Sequence, residues 1–124
     1  MNTANLFLRF TLELAALGGV AALALKTVEG WPGLAAAILA IGAFAAIWGG
    51  FNVPGDPSRS GRAPVPVTGP VRLVIEITLL TGGAVAWHAS GCPVAGWIMG
   101  AFGILHYALS RDRLAWLLSR GRSG

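Results

Sequence analysis

Leu6-Phe7-Leu8-Arg9-Phe10-Thr11-Leu12-Glu13-Leu14-Ala15-Ala16-Leu17-Gly18-Gly19-Val20-Ala21-Ala22-Leu23-Ala24-Leu25 is an apolar run whose only charges are Arg9 and Glu13. A helix rises about 1.5 Å per residue, so about 20 residues cross the roughly 30 Å hydrocarbon layer of a bilayer. The run therefore predicts a transmembrane helix over residues 6–25. Ala22-Leu23-Ala24 offers a small-residue cleavage pattern, but the acidic Glu13 inside the run argues against a signal peptide.

Three further runs follow the same pattern. Residues 33–51 carry no charge and are opened by Gly30-Trp31-Pro32, where proline suits a first helical turn and tryptophan a membrane interface. Residues 71–89 carry Arg72 and Glu76, and residues 94–110 hold no formally charged side chain after the Ser90-Gly91-Cys92-Pro93 turn. The intervening segment 52–70 contains Pro54, Pro57, Pro64, Pro66 and Pro70, a density that forbids a continuous helix and predicts an extended connector. In the tail, 111–124, Leu114, Leu117 and Leu118 share a helical face beside Arg120 and Arg122, which predicts a short interfacial helix. The expected architecture is all-α, a single membrane domain built as a bundle of four transmembrane helices.

Composition agrees with a lipid solvent. Of 124 residues, 55% are hydrophobic and 11% charged, and the mean hydropathy is +0.68. The nine basic and five acidic side chains sit mainly at the ends of apolar runs, leaving too little polar surface to cover a soluble fold. The high pI of about 10.7 does not imply nucleic acid, because the arginines flank membrane segments and form no basic stripe. With the N-terminus inside, Arg9, Arg59, Arg62, Arg72, Arg111, Arg113, Arg120 and Arg122 fall on the cytoplasmic side and Lys26 outside. The positive-inside rule then predicts a multi-pass membrane protein with both termini cytoplasmic.

The chain carries an internal repeat. Arg9-Phe10-Thr11-Leu12-Glu13 aligns with Arg72-Leu73-Val74-Ile75-Glu76, and the same shift brings Gly19 onto Gly82 and Gly33 onto Gly96. Two related hairpins of two spans each would run in the same sense, related by an axis along the membrane normal.

In each motif the arginine precedes the glutamate by one helical turn, so the two share a face. Arg9 and Arg72 lie near enough to the interface to snorkel toward lipid phosphates. Glu13 lies about 12 Å along the helix from Asn5 at 1.5 Å per residue, too deep to do so. Unpaired carboxylates facing lipid are costly, so Glu13 and Glu76 are expected to face the bundle interior. His106 comes to a comparable depth on the returning fourth helix, with Tyr107 and Ser110 near enough to donate hydrogen bonds. The cluster Arg9, Glu13, Arg72, Glu76 and His106 admits three readings. The arginines and glutamates cross-pair between hairpins, Arg9 to Glu76 and Arg72 to Glu13; or Glu13, Glu76 and His106 form a proton-coupled or ion-binding site; or the charges pair with another chain.

Gly42-Ala46-Gly50 and Gly96-Gly100 repeat at every fourth residue, the spacing of helix-packing faces within one chain or between chains. Trp48, Trp87, Trp97 and Trp116 fall near span ends, where an indole suits the interface, and His88 reads as an interfacial residue of the outer end. Cys92, alone in the chain, makes no internal disulfide. No phosphate-cradling glycine loop, metal-ligand spacing, or serine with base and orienting acid is present. The expectation is a protein without catalytic residues, cofactor or metal, whose partners are the lipid bilayer and either a second copy or another membrane protein.

The stretch Asn5 to Leu17, Trp48-Gly49 with Val53-Pro54, Pro64-Val65-Pro66-Val67 leading into Gly69-Pro70-Val71-Arg72-Leu73-Val74-Ile75-Glu76, and His106-Tyr107-Ala108-Leu109-Ser110-Arg111-Asp112-Arg113 together resemble the YrdB-like family of small bacterial membrane proteins. The resemblance covers nearly the whole chain. It implies the membrane architecture and no activity, since the family has no assigned biochemical function. The remaining functional expectations are an interaction or accessory component, or a homo-oligomeric small transporter or channel built on the Glu, Arg and His cluster.

Overall fold

The computed structural model describes residues 2–56 and 63–120. Pro57 to Arg62 of the expected connector, and Arg122, lie outside the described residues. Helix α1 (Thr3–Thr27) starts three residues before the apolar run because Asn2 caps it, its Oδ1 accepting from the Asn5 backbone N–H at 2.8 Å. The chain reverses through Gly30 at φ 72°, a left-handed value that suits glycine, and enters α2 (Trp31–Gly50) with Pro32 in its first turn. Gly33 lies directly against the Val28 carbonyl, so this reversal has no room for a side chain there.

The connector is more structured than proline content alone suggests. β1 (Phe51–Asn52) and β2 (Val65–Pro66) pair in parallel, Phe51 opposite Val65, and the Val67 N–H donates to the Asn52 carbonyl at 2.9 Å. Its two ends are thereby held together at the mouth of α3 (Gly69–Ala89), which begins two residues earlier than the apolar run. Gly91 at φ 99° makes the next tight turn into α4 (Pro93–Ala108).

α1, α2 and α3 have 25, 20 and 21 residues and are long and apolar enough to cross a membrane. α4 is shorter than the expected 94–110 span: its 16 residues rise about 24 Å, below the usual hydrocarbon thickness. It stops at the Leu109-Ser110 break and is followed by α5 (Arg111–Arg120), bent 71° away; the pair together makes a fourth candidate span.

Large apolar side chains point outward, among them Phe7, Leu39, Ile104 and Trp97, while Asn5, Arg9, Arg72, Glu76, His106, Ser110 and Arg113 are buried. This inversion is what a hydrocarbon solvent selects. α1 and α3 approach through small residues: a side chain on Gly19 would meet the Gly83 carbonyl, and one on Gly83 would meet Ala16. Leu12, Ala16, Phe44, Trp48, Leu80 and Met99 form the apolar core beside that contact.

Two expectations about span ends need correction. Trp48 is not an interfacial indole but a core residue, 5% exposed and stacked on Phe44. α5 does not simply lie along the headgroups: Leu117 is fully buried with its backbone against Gly69, whose missing side chain permits the contact, while Leu118 stays exposed. The helix is fastened by one side to the start of α3 because its buried face carries Arg113 as well as Leu117.

Candidate functional site

Glu76 is the centre of a buried ionic cluster at the end of the bundle where α1 and α3 begin and α2 and α4 finish. On its own helix, Arg72 reaches it from one turn earlier, Nε donating to Oε2 at 2.7 Å. From α1, Arg9 donates through Nη2 to the same oxygen at 2.9 Å. From α5, Arg113 donates to both oxygens, Nη1 to Oε1 at 2.8 Å and Nη2 to Oε2 at 2.7 Å. The Tyr107 hydroxyl of α4 completes Oε1 at 2.9 Å.

Each arginine is held by a second partner as well. Arg113 grips Asp56 of the connector, Nη2 to Oδ2 at 2.7 Å and Nε to Oδ1 at 3.3 Å. Arg72 Nη1 donates to the Trp48 and Phe51 carbonyls at 2.7 and 2.9 Å, where α2 ends and its last carbonyls need donors. Arg9 Nε lies 3.6 Å from Glu13. The Arg9 and Arg72 guanidinium carbons lie over the Trp48 ring, 5.4 and 4.8 Å from its centroid. Removing charges from water is expensive, and this packing offsets the cost through ion pairing and charge-assisted hydrogen bonds, with Arg72 Nη2 left without a hydrogen-bond partner among the described residues.

The expected cross-pairing is realised on one side alone. Arg9 meets Glu76, but Arg72 bonds Glu76 of its own helix rather than Glu13. Glu13 keeps 24% of its side chain exposed, whereas Glu76 is fully buried. The physical reason is that Arg113 and Tyr107 approach α3 and not α1, so the richer donor set belongs to Glu76. Arg9 and Arg72 do not snorkel toward headgroups; they turn inward because a carboxylate already lies within the bundle.

His106 is fully buried near this cluster but bonds elsewhere: its Nδ1 lies 2.8 Å from Asn5 Oδ1. Asn5 Nδ2 in turn donates to Ser110 Oγ at 2.6 Å, tying the start of α1 to the end of α4. His88 is exposed beside Trp97, and Cys92 is an exposed free thiol.

The small-residue faces separate. Gly96 packs against the Ala84 carbonyl, within α3–α4. Gly42, Gly50 and Gly100 have nothing within 4 Å of where a side chain would stand, and Ala46 is exposed, so the expected packing face on α2 has no partner element within the described residues.

Sequence reasoning missed Arg113, Asp56 and Trp48. Arg113 reads as one more flanking cation in Arg111-Asp112-Arg113, and nothing in the proline-rich connector singles out Asp56. A usable signal was present, since both are charges adjoining spans whose buried opposite charges need partners. Among the described residues no group of His, Cys, Asp and Glu is arranged to hold a metal ion.

The model of the family described as "Protein of unknown function (DUF2568)" matches residues 7–104. A curated relative from Bacillus subtilis (strain 168), "Uncharacterized protein YrdB", is 36% identical over 120 residues, covering 97% of this chain and 98% of that protein. No solved structure matches.

Proposed function

The chain belongs to the DUF2568 family of proteins of unknown function, and from that premise we propose that it is a non-enzymatic membrane protein acting as an interaction or accessory component in a bacterial cytoplasmic membrane. In this reading it crosses the bilayer four times as two related hairpins, α1–α2 and α3–α4, with both termini cytoplasmic. Arg9, Arg72, Arg111 and Arg113 share one end of the bundle and Lys26 belongs to the other, which supports that orientation. The bacterial relative supports the setting.

One observation carries the reading: the saturation of Glu76. Among the described residues its two oxygens accept five donor contacts, from Arg9, Arg72, Tyr107 and twice from Arg113. A carboxylate offers about four lone-pair sites, so this one has none left for a substrate, an ion or a travelling proton. Its work is to clasp α1, α3, α4 and α5.

The test is Glu76→Gln in the full-length protein, with thermal unfolding in detergent and solute or proton flux in proteoliposomes. The clasp predicts a strongly lowered Tm and a wild-type flux equal to that of empty vesicles. A wild-type flux that disappears in a normally stable Glu76→Gln protein refutes it.

A second reading, a small transporter or channel working as a homo-oligomer, is favoured by the open Gly42-Ala46 face of α2. That face offers a second chain a flat surface for close packing. Cross-linking in native membranes that captures dimers through α2 supports it, and a strictly monomeric protein removes it.

A further inference from the structure

A carbonyl oxygen accepts hydrogen bonds and never donates them, and this elementary fact determines the state of the buried histidine. Ser110 Oγ lies 2.7 Å from the His106 carbonyl, so its hydroxyl hydrogen points there. Ser110 Oγ is then left with lone pairs toward Asn5, 2.6 Å away, and Asn5 must present its Nδ2 amide to them. The other end of that carboxamide, Oδ1, consequently faces His106 Nδ1 at 2.8 Å, and an oxygen facing a ring nitrogen at that distance requires the nitrogen to carry hydrogen. The orientation of the Asn5 carboxamide is set by its partners: the Ser110 hydroxyl, committed to the His106 carbonyl, accepts from Nδ2 and leaves Oδ1 for the ring.

The ring nitrogen at the far side is therefore the one without hydrogen in the neutral imidazole. Among the described residues, His106 Nε2 is buried and has no hydrogen-bond partner. An acceptor taken from water and left unpaired costs free energy comparable to a lost hydrogen bond, and such atoms in folded proteins are almost always satisfied by protein or by internal water. The Tyr107 ring stands against the imidazole at 4.8 Å between centroids, but its hydroxyl is committed to Glu76 and does not serve Nε2.

We infer that His106 is a hydrogen-bond acceptor site inside the bundle, locked as the Nδ1–H tautomer by Asn5 and Ser110, whose Nε2 binds a single internal water molecule as donor. This site goes beyond the Glu76 clasp and is independent of it. It lies on the α1–α4 contact, where water supplies what no side chain does.

The experiment uses the full chain labelled with 15N-histidine in lipid nanodiscs. The sequence has two histidines, so His88→Gln, a change at an exposed position, leaves the His106 signals alone. Solid-state 15N spectra should show a hydrogen-bearing Nδ1 and a bare Nε2 shifted by hydrogen bonding, with magnetisation transfer from water protons to Nε2. Asn5→Ala should abolish the preference for Nδ1–H, so that hydrogen is shared between the two nitrogens and the bare Nε2 signal weakens. Hydrogen on Nε2, hydrogen on both nitrogens, or a bare Nε2 with neither shift nor water transfer overturns the inference.

Discussion

Replacing Arg113 by alanine removes the element that ties α5 and the connector to the bundle. Arg113 donates to Glu76 through Nη1 and Nη2 and to Asp56 through Nη2 and Nε. Counted singly, hydrogen bonds to charged groups contribute about 1.5–3 kcal/mol each, but bonds sharing one guanidinium do not add. Glu76 retains Arg9, Arg72 and Tyr107, so its loss is partial. Asp56, 1% exposed, loses its bidentate partner, and removing one member of a buried pair costs about 3–5 kcal/mol. The expected destabilisation is therefore about 3–4 kcal/mol, most of it arising at Asp56. Thermal unfolding in detergent should show a Tm lower by about 10 °C or more. The double variant Arg113→Ala with Asp56→Ala should recover a large part of that loss, because the carboxylate that lost its bidentate partner is then gone while Glu76 keeps Arg9, Arg72 and Tyr107. Arg111→Ala, at an exposed position two residues away, should stay within about 0.5 kcal/mol of the parent. An Arg113→Ala protein within about 1 kcal/mol of wild type, or a double variant no better than the single, refutes the reasoning.

Two glycine predictions follow from the close approaches of the backbone. Gly69→Ala puts a methyl group into the Leu117 backbone, so α5 must leave the start of α3; limited proteolysis should then cut α5 at least tenfold faster, and unchanged protection would show that the contact yields cheaply. Gly83→Val drives α1 and α3 apart at Ala16 and should cost about 1–3 kcal/mol as overpacking, read as a lowered Tm. Gly42→Ala meets open space and should be neutral or stabilising by up to about 1 kcal/mol through helix propensity, read in the same assay.

What the sequence could disclose follows from the range of the forces involved. Span formation depends on the hydropathy of a contiguous run, and α1, α2 and α3 were legible for that reason. The Arg9–Glu76 pair was legible too, since hydrocarbon leaves buried opposite charges few alternatives. The division of labour between the two glutamates was not. Arg9-x-x-x-Glu13 and Arg72-x-x-x-Glu76 are locally alike, and nothing within either motif distinguishes a partly exposed carboxylate from a saturated one.

The difference comes from residues far along the chain. The break at Leu109-Ser110 bends α5 by 71°, and the bend lets Arg113 reach back to α3 while Leu117 rests on Gly69. A bend is set by tertiary contacts that no local window contains, so Arg113 resembled any flanking cation and Asp56 any connector acid. Trp48 was misplaced for a related reason. An indole near a span end suits either the interface or the face of a guanidinium, and the choice depends on where Arg9 and Arg72 turn. They turn inward because Glu76 is there, and Arg113 and Tyr107 join them around it. The cluster therefore forms as a unit, its asymmetry arising from α4 and α5 rather than from the paired motifs themselves.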